Sequence, residues 1–130
     1  MQNFTDDTGR QWTVRVTVET VRRIREQAGV NVIDVFSDVD LLQKLMFTDH
    51  VLVADCLYAA IRPDADKINI TKLQFAESLS GDSLESASAA FLDALANFFP
   101  KAQRDALTRV LKKSRAAVTE AAQNLEPESV

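Results

Sequence analysis

Ser83, in the run Gly81-Asp82-Ser83-Leu84, is the side chain best spaced to act as a nucleophile. Such a serine supports acyl transfer only when a histidine, itself held by a carboxylate, can take its proton. His50 is the single histidine of the chain. The run also falls between two helical patterns and follows no strand, so a helix stop and a helix start account for all four residues. Asp82-Ser83-Leu84 has the further look of a serine that carries a phosphopantetheine arm. That role calls for an acidic helix, and after Glu85 the chain continues Ser86-Ala87-Ser88-Ala89-Ala90.

Metal chemistry fares no better. Asp64, Asp66 and Asn69 suggest a calcium loop, but such a loop would need an oxygen ligand at Ile68, a glycine at Asn69 and a glutamate at Phe75. A solvated stretch between helices explains them. His50 and Cys56 fall on different helix faces, whereas zinc takes about four donors. Arg10, Arg15, Arg22, Arg23 and Arg25 form the most basic stretch, diluted by Glu19 and Glu26. Arg22 can pair with Glu26 along a helix. This reads as a solvated face and not as a phosphate reader, and Lys112, Lys113 and Arg115 read the same way. No cofactor or metal is expected, and an enzyme is not.

The elements around these residues follow from the hydrophobic period. Trp12, Val14, Val16 and Val18 alternate with polar residues, the rhythm of a strand with one buried face. Phe4-Thr5 and that run flank Asp6-Asp7-Thr8-Gly9-Arg10, which predicts a β-hairpin over residues 3–18. Beyond it the period becomes helical. A first helix is expected from Val18 to Ala28, capped by Thr17, stopped by Gly29 and facing inward through Val21 and Ile24. Val30 to Phe36 reads as an apolar connector in extended form. Ser37-Asp38-Val39-Asp40 starts a short helix to Met46. Thr48 or Asp49 caps the next, apolar on most of its circumference and therefore central, which Pro63 and Asp64–Lys67 end after Ile61. Thr71-Lys72-Leu73-Gln74 is a capping box opening a helix to Leu79, and Asp82-Ser83-Leu84-Glu85 a second, opening a helix to Phe99. Pro100 begins a final helix to Leu125. Its inward stripe is Leu107, Val110, Leu111, Ser114, Val118, Ala121 and Leu125, rich in leucine and valine at first and thinning to alanine. Residues 126–130 read as a flexible tail. The fold class is thus mainly α: an N-terminal β-hairpin, then a bundle of five to six helices with a long last one, forming a single domain over 1–125.

Composition fits this reading. The chain has 130 residues, 46% of them hydrophobic and 26% charged, with a formal net charge of −4. Such a chain should hide roughly two-thirds of its unfolded surface without staples. Mild acidity gives no pull toward nucleic acid or anionic membrane. The lone Cys56 cannot form an internal disulfide, which suits a reducing compartment. The N-terminus shows no charged leader followed by an apolar run, so no secretion signal is expected. The most apolar stretch, Val51 to Ile61, is broken by Asp55 and is too short for a membrane span.

The order Phe4-Thr5-Asp6, Gly9-Arg10-Gln11-Trp12-Thr13-Val14, Val21-Arg22-Arg23-Ile24-Arg25, Leu41-Leu42-Gln43-Lys44-Leu45, the helix Asp49 to Tyr58, Arg62-Pro63, Phe75 to Asp82 and Phe98-Phe99-Pro100 resembles a group of small proteins encoded among the tail genes of long-tailed bacteriophages and prophages. It is similar in organisation to the tail assembly chaperones, over residues 3 to 112. The resemblance implies a small, mainly helical protein of the host cell cytoplasm. Such a protein binds the long helical tape measure protein, keeps it soluble and helps the major tail protein polymerise around it. It also implies self-association as a homo-oligomer, absence from the finished virion and, in many members, a longer frameshifted form.

A chaperone for an amphipathic helix needs exposed apolar surface and no reactive centre. Candidate docking residues are Trp12 and Val14 of the hairpin and Leu107, Val110, Leu111, Val118 and Ala121 of the last helix. The outer edge of the hairpin could also pair across a subunit interface. A structural tail component, or a small helical adaptor or regulator, is the alternative.

Overall fold

The hairpin forms around one carboxylate. In a computed structural model that describes residues 2–125, the last of these by its backbone alone, strand β1 (Gln2–Thr5) pairs antiparallel with β2 (Gln11–Val14), setting Phe4 opposite Trp12. Asp6 turns inward between them. It accepts from the Thr8 N–H at 2.9 Å, the Thr8 hydroxyl at 2.6 Å, the Arg10 N–H at 3.1 Å, Arg10 Nε at 2.9 Å and Trp12 Nε1 at 2.9 Å. Gly9, at φ 87°, supplies the left-handed step that lets the chain return. Burial pulls the Asp6 carboxyl upward, but these hydrogen bonds from Thr8, Trp12 and Arg10 outweigh it and hold the group at about 2.

Helix α1 (Val18–Ala28) has its expected bounds: Thr17 and Thr20 form a capping box, and Gly29 closes it at φ 71°. The next segment departs from the extended connector expected of Val30 to Phe36. Val32–Phe36 is a 3-10 helix. Side chains three apart eclipse in such a helix, so Val32 and Val35 are buried together while Ile33 and Phe36 stay partly outside. Tertiary burial at that spacing overrides the β-propensity of the residues. Asp38, not the Ser37 hydroxyl, caps α2 (Val39–Gln43) through the Leu41 N–H at 3.0 Å. A π-helical turn, Lys44–Thr48, follows, its wider ring closed by the Asp49 N–H on the Lys44 carbonyl at 3.0 Å. The Asp49 carboxylate then accepts from the Leu52 N–H and so caps the next helix.

That helix, α3 (His50–Lys67), is the central rod, burying Val53, Cys56, Leu57, Tyr58, Ala59, Ile61 and Ala65. It does not end at Ile61 but runs through Pro63, making Asp64–Lys67 helical instead of a loop. Proline lacks the N–H that would bond the Ala59 carbonyl, which should interrupt a helix. Arg23 of α1 makes good the loss: its Nε donates to the Ala59 carbonyl at 2.5 Å and its Nη2 to that of Ala60 at 3.0 Å. The helix closes where Asn69 takes φ 57° and the Ile70 N–H reaches back to the Ala65 carbonyl.

Thr71 and Gln74 form the expected capping box of α4 (Lys72–Glu77), which stops two residues short of Leu79. Its Phe75 is the hub of the core, with ring centroids 5.6 Å from Trp12, 5.7 Å from Tyr58 and 6.2 Å from Phe4. Helix α5 (Gly81–Phe98) starts one residue before the expected Asp82 cap, with Ser80 at the cap position. Phe99 and Pro100 turn the chain into α6 (Lys101–Leu125), whose first turn hangs on the Pro100 carbonyl through the Arg104 N–H at 2.8 Å. The described residues are therefore mainly α, with a two-stranded antiparallel hairpin, six α-helices and a long final helix. The tail expected at 126–130 lies outside the described residues, as does the place of the Leu125 side chain on the inward stripe.

Candidate functional site

Helices α5 and α6 form an antiparallel pair sealed only near its turn. Leu107 and Leu111 of α6 are each 2% exposed, and among the described residues no α6 side chain beyond Leu111 is buried. Among the described residues one ion pair joins the two helices, Arg115 Nη2 to Asp93 Oδ1 at 3.0 Å. Past it, between the first half of α5 and the second half of α6, lies a groove of about 700 Å³. Leu84, Ala89 and Leu92 line one wall and Leu111, Val118 and Ala122 the other. The π-helical turn supplies Met46 and Phe47, and His50 stands beside them. Val118 is 47% exposed and Phe47 41%. Ser88, Ala89, Ser114 and Ala122 are short, so another backbone can come close. The polar groups at the rim are few: Glu85, His50, Arg115 and Gln123 among them. This is the form in which an amphipathic helix is received.

The π turn stands at one end of the groove. Leu45 follows Leu41 into the core four residues on, while Met46 and Phe47 line the groove.

The structure sorts the expected docking residues. Trp12 and Val14 are removed from the set: the hairpin's apolar face is 3% and 0% exposed at these positions and is consumed by packing on the helices. Leu107 is likewise core, and Leu111 is buried at the closed end of the groove. Val118 lines the open part. Val110 and Ala121 are exposed but stand apart from the groove lining, where Ala122 takes the place expected of Ala121. Leu84, Met46 and Phe47 were missed because an apolar residue at helical spacing reads as core, which Leu92, 5% exposed at the groove floor, is. The signal that separates them is the excess: α5 carries apolar residues on more of its circumference than one core face can use.

The other chemical candidates resolve into structure. Ser83 Oγ accepts from the Ser80 N–H at 3.0 Å and donates to the Ser80 carbonyl at 2.8 Å, which holds it at the start of α5. Ser80 Oγ donates to Asp7 at 2.7 Å, tying α5 to the hairpin turn. Cys56 is fully buried, and burial, reinforced by Asp55 and Asp49, pushes its thiol up to about 12, which leaves it inert. Arg22 stands 3.6 Å from Glu19, in place of the expected Glu26. A shallow polar hollow beside Tyr58 holds Asp55 with Lys72 at 3.4 Å and Arg62 with Asp66 at 2.9 Å. Its charges are already matched. Among the described residues no three His, Cys, Asp or Glu side chains converge as a metal site, and no helix is long and apolar enough to cross a membrane. Comparison with protein-family models, curated proteins and solved structures finds no match for this chain.

Proposed function

We propose that this chain is a docking protein for a helical partner, of the tail assembly chaperone type, that shelters the tape measure protein while the major tail protein assembles around it. The observation that carries the reading is the α5–α6 groove: an open, apolar, helix-sized trough on a chain of net charge −4. A concave apolar trough with few polar groups is the kind of surface into which an amphipathic helix docks. The order of segments from Phe4 to Pro100 supports the narrower identification of the partner. On this reading the protein works by binding alone, in the host cytoplasm, and carries out no reaction.

Co-expression with the long coiled-coil protein encoded beside it tests the proposal. The expected result is a soluble complex, lost when Val118→Asp and Leu84→Asp are introduced together. An insoluble coiled-coil protein with no complex formed would overturn the assignment.

A further inference from the structure

We propose that two copies of this chain pair antiparallel through the outer side of α6. The inference goes beyond the docking reading and uses the side of the helix that the groove leaves free. Val110, 42% exposed, shares a stripe of α6 with Ala117 and Ala121, seven and eleven residues on. All three are exposed and none lines the groove. Lys113 and Glu120, also seven residues apart, flank one and the same edge of that stripe. Both are exposed, and among the described residues neither has an opposite charge within 4.0 Å. Charge along the helix is segregated: its six cations all precede Ala116, and Ala116–Leu125 carries Glu120 and no lysine or arginine. This pattern complements itself in one orientation. Antiparallel helices bring the same edge of each together, and with the two-fold axis between Ala116 and Ala117, Lys113 of each copy meets Glu120 of the other. Parallel pairing would set cation against cation along the first half. Ala117 and Ala121 let the two axes come close. A contact of one helix face belongs to the small, transient class of interfaces, so the dimer is weak and concentration-dependent.

Sedimentation equilibrium of the full chain from about 1 μM to about 1 mM tests the pairing, with a monomer–dimer equilibrium as the expected result. Lys113→Glu and Glu120→Lys, each alone, should weaken the dimer about tenfold, because the two-fold axis repeats every like-charge contact. Far-UV circular dichroism should be unchanged in both, since the side chains are exposed. Mixed in equal amounts, the two variants should associate at least as tightly as the parent, each supplying the charge that the other lacks. Raised salt should narrow all these differences. A chain that stays monomeric throughout would overturn the proposal. So would a dimer indifferent to both substitutions, or variants that do not recover on mixing. A dimer that dissociates on Val118→Asp and ignores the charge changes would place the second copy in the groove, which also overturns it.

Discussion

Asp6 and Arg23 each answer a backbone problem that the chain creates a few or many residues away. Asp6 organises the hairpin turn with five hydrogen bonds onto a side chain that is 0% exposed. Its folded value is about 2, below the ordinary 3.8, so the unfolded chain takes up the proton first as pH falls. The stabilisation is complete above about pH 4, declines between about 4 and 2, and is gone below that, a loss of about 2 kcal/mol. Asp6→Asn should cost about 2–3 kcal/mol near neutrality, because an amide cannot accept from both Arg10 and Trp12 on its nitrogen side. The gap between variant and parent should narrow by about 2 kcal/mol when urea unfolding is repeated near pH 2. Arg23 makes a sharper case. Arg23→Met should cost about 2–3 kcal/mol by orphaning the Ala59 carbonyl in the core. In a Pro63→Ala background the restored N–H takes that carbonyl, and the same change should cost less than about 1 kcal/mol. A double-mutant cycle showing no coupling would refute the link. Neither role was legible along the sequence with equal ease. The Asp6 turn is local, and Asp-x-x-Gly between strands announces it. Nothing in Arg22-Arg23 points to a proline on a different helix, which is why a solvated face was the natural expectation.

The same division runs through the elements. Bounds set by neighbouring residues could be read directly: Thr17 and Gly29 bracket α1, and Thr71 with Gln74 opens α4, because caps satisfy orphan N–H groups within one turn. Bounds set by distant packing could not. Val32–Phe36 is helical because the core takes Val32 and Val35, and α3 outlasts Pro63 because α1 supplies a donor. The π turn was not legible in the sequence, and neither was the part of the groove lined by Met46 and Phe47. Helix α6 is the converse case. Its thinning from leucine to alanine was plain, and the structure gives the consequence: among the described residues, Leu111 is the last of the helix to be buried. A helix of about ten residues without tertiary support is marginal in water. Amides beyond Ala116 should therefore exchange with solvent much faster than those of Leu107–Leu111, and should slow on binding a partner helix. A chain ended after Arg115 should keep its melting temperature within about 3 °C while losing the partner, because little apolar area goes with the deleted segment.

Across the whole molecule, the apolar residues divide between a closed core and an open trough. Phe75 joins the hairpin, α3 and α4 through three aromatic neighbours. Phe75→Ala should therefore cost about 3–5 kcal/mol, a large share of the stability of an ordinary domain. Its effect would reach the hairpin and the central helix together, because their rings lose a common partner. Half-buried Leu84 and exposed Val118 belong to the other population: both line the trough, where aspartate reaches water. Leu84→Asp with Val118→Asp should shift the melting temperature by no more than about 2–4 °C and improve solubility, since an exposed apolar patch is what drives unwanted association. The two experiments together separate fold from function. Partner binding lost with the melt intact assigns the trough to docking. A melt that collapses in the aspartate pair as it does in Phe75→Ala would mean that the walls of the trough close on each other in solution, and that the apolar surface of α6 serves the chain's own core.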